Sequence, residues 1–146
     1  MDKITLDNYI KTYFDEVMIM LKQVDFDIMA HLTCPFRYII GKYKVDVDIR
    51  KYETQIDNIL DYIVEHSILM EINTSGINSF YNSFMPDEWI IQKFKKKGGY
   101  LVTLGSDAHT SDRVANGFEE AINLLKKYDF DGYYYFEKRQ KNFVKI

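Results

Sequence analysis

The sequence predicts an α/β fold built on a mostly parallel sheet, and three observations carry that expectation. Apolar residues recur at helical spacing in several stretches. Short, strongly apolar runs separate those stretches. The two kinds alternate along the chain, as they do where helices cross over between parallel strands. The length of 146 residues suits one domain, and no repeat, linker or low-complexity stretch divides it, so residues 1–146 are read as one unit.

Leu6, Tyr9, Ile10, Tyr13, Phe14, Val17, Met18 and Leu21 fall on one helical face and predict a helix over residues 6–23. Asp27-Ile28-Met29-Ala30-His31-Leu32 is too short and too apolar for a helix and reads as a buried strand. Residues 33–47, with Pro35 and Gly41, read as a loop. Tyr52, Ile56, Ile59, Leu60 and Ile63 mark a second helix ending near His66, and Ile68-Leu69-Met70-Glu71-Ile72 is the second strand. A loop through Thr74, Ser75, Gly76 and Asn78 leads to Pro86-Asp87-Glu88, where a proline and two acids mark a helix start. That helix runs to Lys95-Lys96-Lys97 and stops at Gly98-Gly99. Residues 100–104 form a third strand, 112–127 a fourth helix broken near Gly117, and 132–136 a fourth strand. Residues 140–146 return as a hairpin or lie along the surface. Periodicity leaves two architectures open, a small open sheet and half of a (β/α) barrel.

Composition excludes several classes. With 47% hydrophobic and 28% charged residues the chain is no disordered tail. A net charge of −3 gives it no electrostatic grip on nucleic acid or on an acidic membrane. No apolar run nears the roughly 18 residues that span a bilayer, and the N-terminus lacks the apolar core of a signal peptide. Cys34, the single cysteine, has no disulfide partner within the chain, which points to a reducing compartment, the cytoplasm. Twelve Tyr, ten Phe and one Trp are a heavy aromatic load, expected mostly in the core with a surplus for a partner surface.

In parallel α/β folds the functional site lies beyond the C-terminal ends of the strands. The first strand ends at His31, the second runs into Glu71, Asn73 and Ser75, and the third runs into Asp107 and His109. These residues are therefore expected on one rim. A carboxylate and imidazoles suit a borderline divalent ion such as Zn, Mn or Fe. Plainer roles compete: His31 as a hydrogen-bonded core histidine, Asp107 as a helix cap, His66 as a helix-end surface residue, Cys34 as packing. The run Lys95–Lys97 reads as a solvated helix end. Tyr133–Phe136 reads as core on one face and a contact surface on the other.

Gly105-Ser106-Asp107-Ala108-His109, followed by Thr110-Ser111-Asp112-Arg113-Val114 and a helix, resembles the last metal-binding motif of the PHP (polymerase and histidinol phosphatase) superfamily. Asp27–Leu32 resembles that family's strand-end histidine motif. Glu71-Ile72-Asn73-Thr74-Ser75-Gly76 and Pro86-Asp87-Glu88-Trp89-Ile90-Ile91 resemble the intervening part of its histidinol-phosphatase branch. The resemblance runs from about Tyr13 to Phe136. It implies a distorted (β/α)7 barrel with divalent ions at its C-terminal rim, hydrolysing L-histidinol phosphate in histidine biosynthesis. It further implies that His31, Asp107 and His109 are metal ligands. Arg37 would bind the substrate phosphate, a role suited to the bidentate guanidinium. Glu71 and Asn73 would be polar rim residues.

The chain departs from that pattern in one respect. It has three histidines and no His-x-His, a motif the family carries in the N-terminal half of its barrel. The expectation is a C-terminal half-barrel, inactive alone, with metal held weakly or in part. Its partners would be a small phosphorylated substrate and either a second copy or a complementary N-terminal half. The alternative is a non-catalytic half-barrel module that oligomerises or pairs with another chain. A chance likeness in a small open-sheet protein is the third reading.

Overall fold

The apolar stripe near the N-terminus folds as α1, Lys3–Gln23, whose Ile10, Phe14, Val17 and Leu21 are buried. The computed structural model describes residues 3–146. β1 is Ile28–Met29, β2 Leu69–Asn73, β3 Val102–Gly105, β4 Gly132–Glu137 and β5 Gln140–Lys145. They form one sheet in the order β1-β2-β3-β4-β5. The first four strands are parallel, and β5 returns antiparallel to β4. Of the two fates open to residues 140–146, the chain takes the hairpin.

The first strand is shorter than its apolar run. Only Ile28 and Met29 pair with β2, through Leu69 and Met70. His31 adopts φ 30°, which turns the backbone out of the extended region before the apolar residues end. Residues 33–47 are not the loop that Pro35 and Gly41 suggest. Cys34–Phe36 forms a short helix, α2, and Arg37–Lys42 continues as a π-helical turn. Pro35 lies in the first turn of α2, where its missing N–H costs nothing. Phe36 and Ile39 are buried there, so tertiary packing sustains the turn.

The remaining helices follow their sequence signals closely. They are α3, Glu53–Glu65; α4, Glu88–Lys96; and α5, Phe118–Lys127. Ile56, Ile59, Leu60 and Ile63 of α3 are fully buried, as are Ile90 and Ile91 of α4. Gly117 at φ 82° separates a 3-10 turn, Ser111–Arg113, from α5, which is the break expected near that residue. The core joins the helices to the alternate strand residues Met29, Met70, Ile72 and Val102. Its aromatic centre is Phe14, with ring centroids 6.1 Å from Phe36 and 5.9 Å from Tyr52. The hairpin reaches back to the other end of the sheet, where Arg139 Nη2 lies 3.4 Å from Asp27 Oδ2 just before β1.

Asp87 caps α4, accepting from the Ile90 N–H at 3.1 Å. Burial pushes its carboxyl up, against the pull of the Ile90 and Trp89 N–H groups. A raised folded pKa adds stability that is present below the unfolded value and lost as pH rises through the folded value. Asp87→Ala is expected to cost about 1 kcal/mol by loss of the cap. Asp87→Asn keeps the accepting oxygen without the buried charge. Its melting temperature is expected to equal or exceed the parent's at pH 7, with the difference closing toward pH 4. An Asn variant as unstable as the Ala variant would refute this account of the cap.

Candidate active site

The second strand delivers Glu71 and Asn73 to the C-terminal rim on the same face, two residues apart. Glu71 Oε2 accepts from the His31 backbone N–H at 2.8 Å and from Asn73 Nδ2 at 3.3 Å. The neighbouring strand makes room for it: a Cβ at Gly105 would fall on Glu71 Oε1. Glycine at 105 thus leaves the space that the Glu71 carboxylate occupies. Asn73 is buried, and its Oδ1 accepts from the Ser75 N–H at 3.1 Å and from Ser75 Oγ at 2.7 Å.

Arg37 extends from the start of the π-helical turn toward the same place. Its Nη1 donates to Ser75 Oγ at 3.0 Å and lies 3.6 Å from Asp107 Oδ2. Asp107 Oδ1 in turn lies 3.7 Å from His109 Nε2. Thr74 Oγ1 donates to the carbonyls of Gly105 and Asn116, and Ser106 Oγ accepts from the Ala115 N–H, so the loops after β2 and β3 are tied together. Asp107 adopts φ 47°, like His31 a left-handed conformation at the end of a strand.

The rim therefore gathers His31, Glu71, Asn73, Asp107 and His109, which lie at or just past strand ends, together with Arg37 from the π-helical turn. It does not bring them into one coordination sphere. Asp107 and His109 form a pair and Glu71 is engaged by His31 and Asn73, but among the described residues no three of His, Cys, Asp and Glu form a group placed to hold a metal ion. The donors thus fit a metal ion in part. Asp107 and His109 could serve one ion, and the His109 side chain, 88% exposed, is free to turn toward it.

Cys34 is half-buried beside the rim, and burial pushes its thiol up against the pull of Arg37. A thiol held protonated suits packing better than nucleophilic chemistry. His66 stacks on Tyr62 with centroids 3.9 Å apart, and its Nδ1 lies 2.9 Å from the Tyr62 carbonyl at the end of α3, in keeping with a surface role. Lys95 reaches the Asp129 carbonyl at 2.7 Å, and Lys97 pairs with Asp61 at 2.7 Å. Lys95 and Lys97 of that run are therefore engaged with their neighbours, while Lys96 is exposed, as a solvated helix end would have it. Tyr134 packs on Phe143 of the hairpin, while Tyr135 is exposed.

The parallel βα order places the chain in a known fold class. Its fold matches the crystal structure of a candidate histidinol phosphatase from Listeria monocytogenes, with a TM-score of 0.63 at 15% identity over 74% of this chain and 42% of that one. The class is the PHP-type, TIM-barrel-like α/β fold, here as an open five-stranded sheet. Sequence relatives narrow it. A protein from Thermotoga maritima named "Probable histidinol-phosphatase" is 34% identical over 86% of this chain and 51% of its own length. One of the same name from Clostridium acetobutylicum is 29% identical over 87% of this chain and 49% of its own. No family model matches the chain. The chain is a homologue of these histidinol-phosphatase-like proteins and spans about half of their length.

Proposed function

We propose that this chain is the phosphate-binding rim of a phosphatase for small phosphate monoesters, with L-histidinol phosphate as the first candidate substrate. The observation that supports the reading most is Arg37, fixed at the strand ends between Ser75 and Asp107 in a chain whose relatives are named as phosphatases. Arg37 holds non-bridging phosphate oxygens and offsets their charge. Asp107 and His109 are the proposed ligands of a divalent ion, Zn, Mn or Fe, with His31 the third donor of the rim. Such an ion, when bound, polarises the phosphoryl group and acidifies a water. Glu71 and Asn73 brace the rim from below. The working place is the cytoplasm. No helix among the described residues is long and apolar enough to cross a membrane.

Calorimetric titration with L-histidinol phosphate tests the reading. Arg37→Lys is expected to weaken binding about tenfold, because lysine cannot make the paired contacts of a guanidinium. Equal affinity in parent and variant would remove Arg37 from the site.

The incomplete donor set among the described residues favours a second reading, a non-catalytic half-barrel module that pairs with a second copy or with another chain. Tyr9, Tyr38 and Tyr43 stand exposed around an apolar groove of about 500 Å³ beside α1, surface suited to such pairing. A metal-independent homodimer in sedimentation, together with no affinity for the phosphate ester, would decide for the module.

A further inference from the structure

Resting on the reading of Arg37 as a phosphate ligand, we propose that Ser75 and Asn73 are its positioning residues: a directional hydrogen-bond relay fixes one end of the guanidinium and presents the other to the phosphate. The direction of each bond can be deduced. The Ser75 backbone N–H can only donate, so the Asn73 atom that receives it at 3.1 Å must be the carbonyl Oδ1. The Asn73 NH2 group then faces Glu71 Oε2 at 3.3 Å, an acceptor-only carboxylate, so the amide has one consistent orientation. Arg37 also can only donate. Its Nη1 therefore takes a lone pair of Ser75 Oγ at 3.0 Å, and the hydroxyl hydrogen goes to Asn73 Oδ1 at 2.7 Å. The relay runs from Arg37 to Ser75 to Asn73, with the Asn73 amide anchored on Glu71.

The same atom, Nη1, also faces Asp107 Oδ2 at 3.6 Å. Both fixed partners thus lie at one tip of the guanidinium. Among the described residues Nη2 and Nε have no partner, which leaves two roughly parallel N–H donors for the two oxygens of a phosphate. Asn73 is 1% exposed, so it reaches the ligand only through Ser75. Holding the guanidinium before the ligand arrives removes part of the ordering cost of binding.

The test uses the full chain and inorganic phosphate, followed by calorimetry and by the 15Nε–1Hε NMR signal of Arg37. Ser75→Ala is expected to weaken phosphate binding about fivefold and to lower the order parameter of that signal, and Ser75→Thr, which keeps the hydroxyl, to restore both. Asn73→Asp keeps the acceptor for Ser75 but sets an oxygen against Glu71, and is expected to disturb the signal as Ser75→Ala does. Far-UV circular dichroism identifies any variant that fails to fold, and the Thr rescue still decides. An ordered Arg37 with unchanged phosphate affinity in Ser75→Ala would overturn the relay. Phosphate affinity unchanged in Arg37→Ala would overturn the phosphate reading instead, and the NMR order of Arg37 in Ser75→Ala would still decide whether Ser75 positions it.

Discussion

Supplied with L-histidinol phosphate and Zn, Mn or Fe, the chain alone is expected to turn over at least about a thousandfold more slowly than its Thermotoga maritima relative assayed in parallel, a barrier about 4 kcal/mol higher. Clustered metal ions stabilise both the entering and the leaving oxygen of a phosphoryl transfer, and that contribution depends on several donors converging. Here Asp107 and His109 converge, Glu71 is held by His31 and Asn73, and the sequence has no His-x-His to supply more. Arg37→Ala serves as the control for contaminating enzyme, since on the proposed reading the activity of this rim depends on that guanidinium. Turnover matching the relative, and lost in Arg37→Ala, would show that the donors of this chain are catalytically sufficient.

The second large effect is on stability. Phe14→Ala is expected to cost about 3–5 kcal/mol, a large part of the roughly 5–15 kcal/mol that holds a domain together. Phe14 is fully buried where α1, α2 and the turn before α3 meet, and its ring contacts Tyr13, Phe36 and Tyr52. Those partners come from separate segments, so none can close the cavity without moving another. Tyr52 is further fixed by its hydroxyl, which donates to Asp7 at 3.0 Å. Urea denaturation gives the difference directly. A loss below 1 kcal/mol would mean that α1 is peripheral to the core.

The parts of this fold that are legible in the sequence are those whose signal is local. Ile56, Ile59, Leu60 and Ile63 reveal α3 because one helix face needs only i, i+3, i+4 neighbours. Asp87 and the lysines near Gly98 frame α4 because capping is a matter of a few adjacent residues. The π-helical turn at Arg37–Lys42 is not legible, since Gly41 reads as a loop signal and the buried Ile39 that offsets it depends on distant packing. The rim divides the same way. Strand ends place Glu71, Asn73, Asp107 and His109 together, but the role of Ser75 depends on Arg37, 38 residues away. The bond from Thr74 to Asn116 spans 42 residues and leaves no local mark. Arg37 itself is marked only by resemblance, as no periodicity distinguishes it from other loop cations.

His31 at φ 30° and Asp107 at φ 47° also bear on how this chain drifts. A left-handed conformation costs most residues with a side chain about 1 kcal/mol relative to glycine, less for Asp and Asn, and the turn position Lys44 carries the same burden. Replacing either rim residue by glycine would relax the backbone and remove a functional group in one step. On the proposed function, selection for durability and selection for chemistry pull in opposite directions at these two sites. In a lineage released from its chemical task, His31 and Asp107 are where glycine should accumulate first, while Phe14 and the α3 stripe, which serve folding alone, should persist.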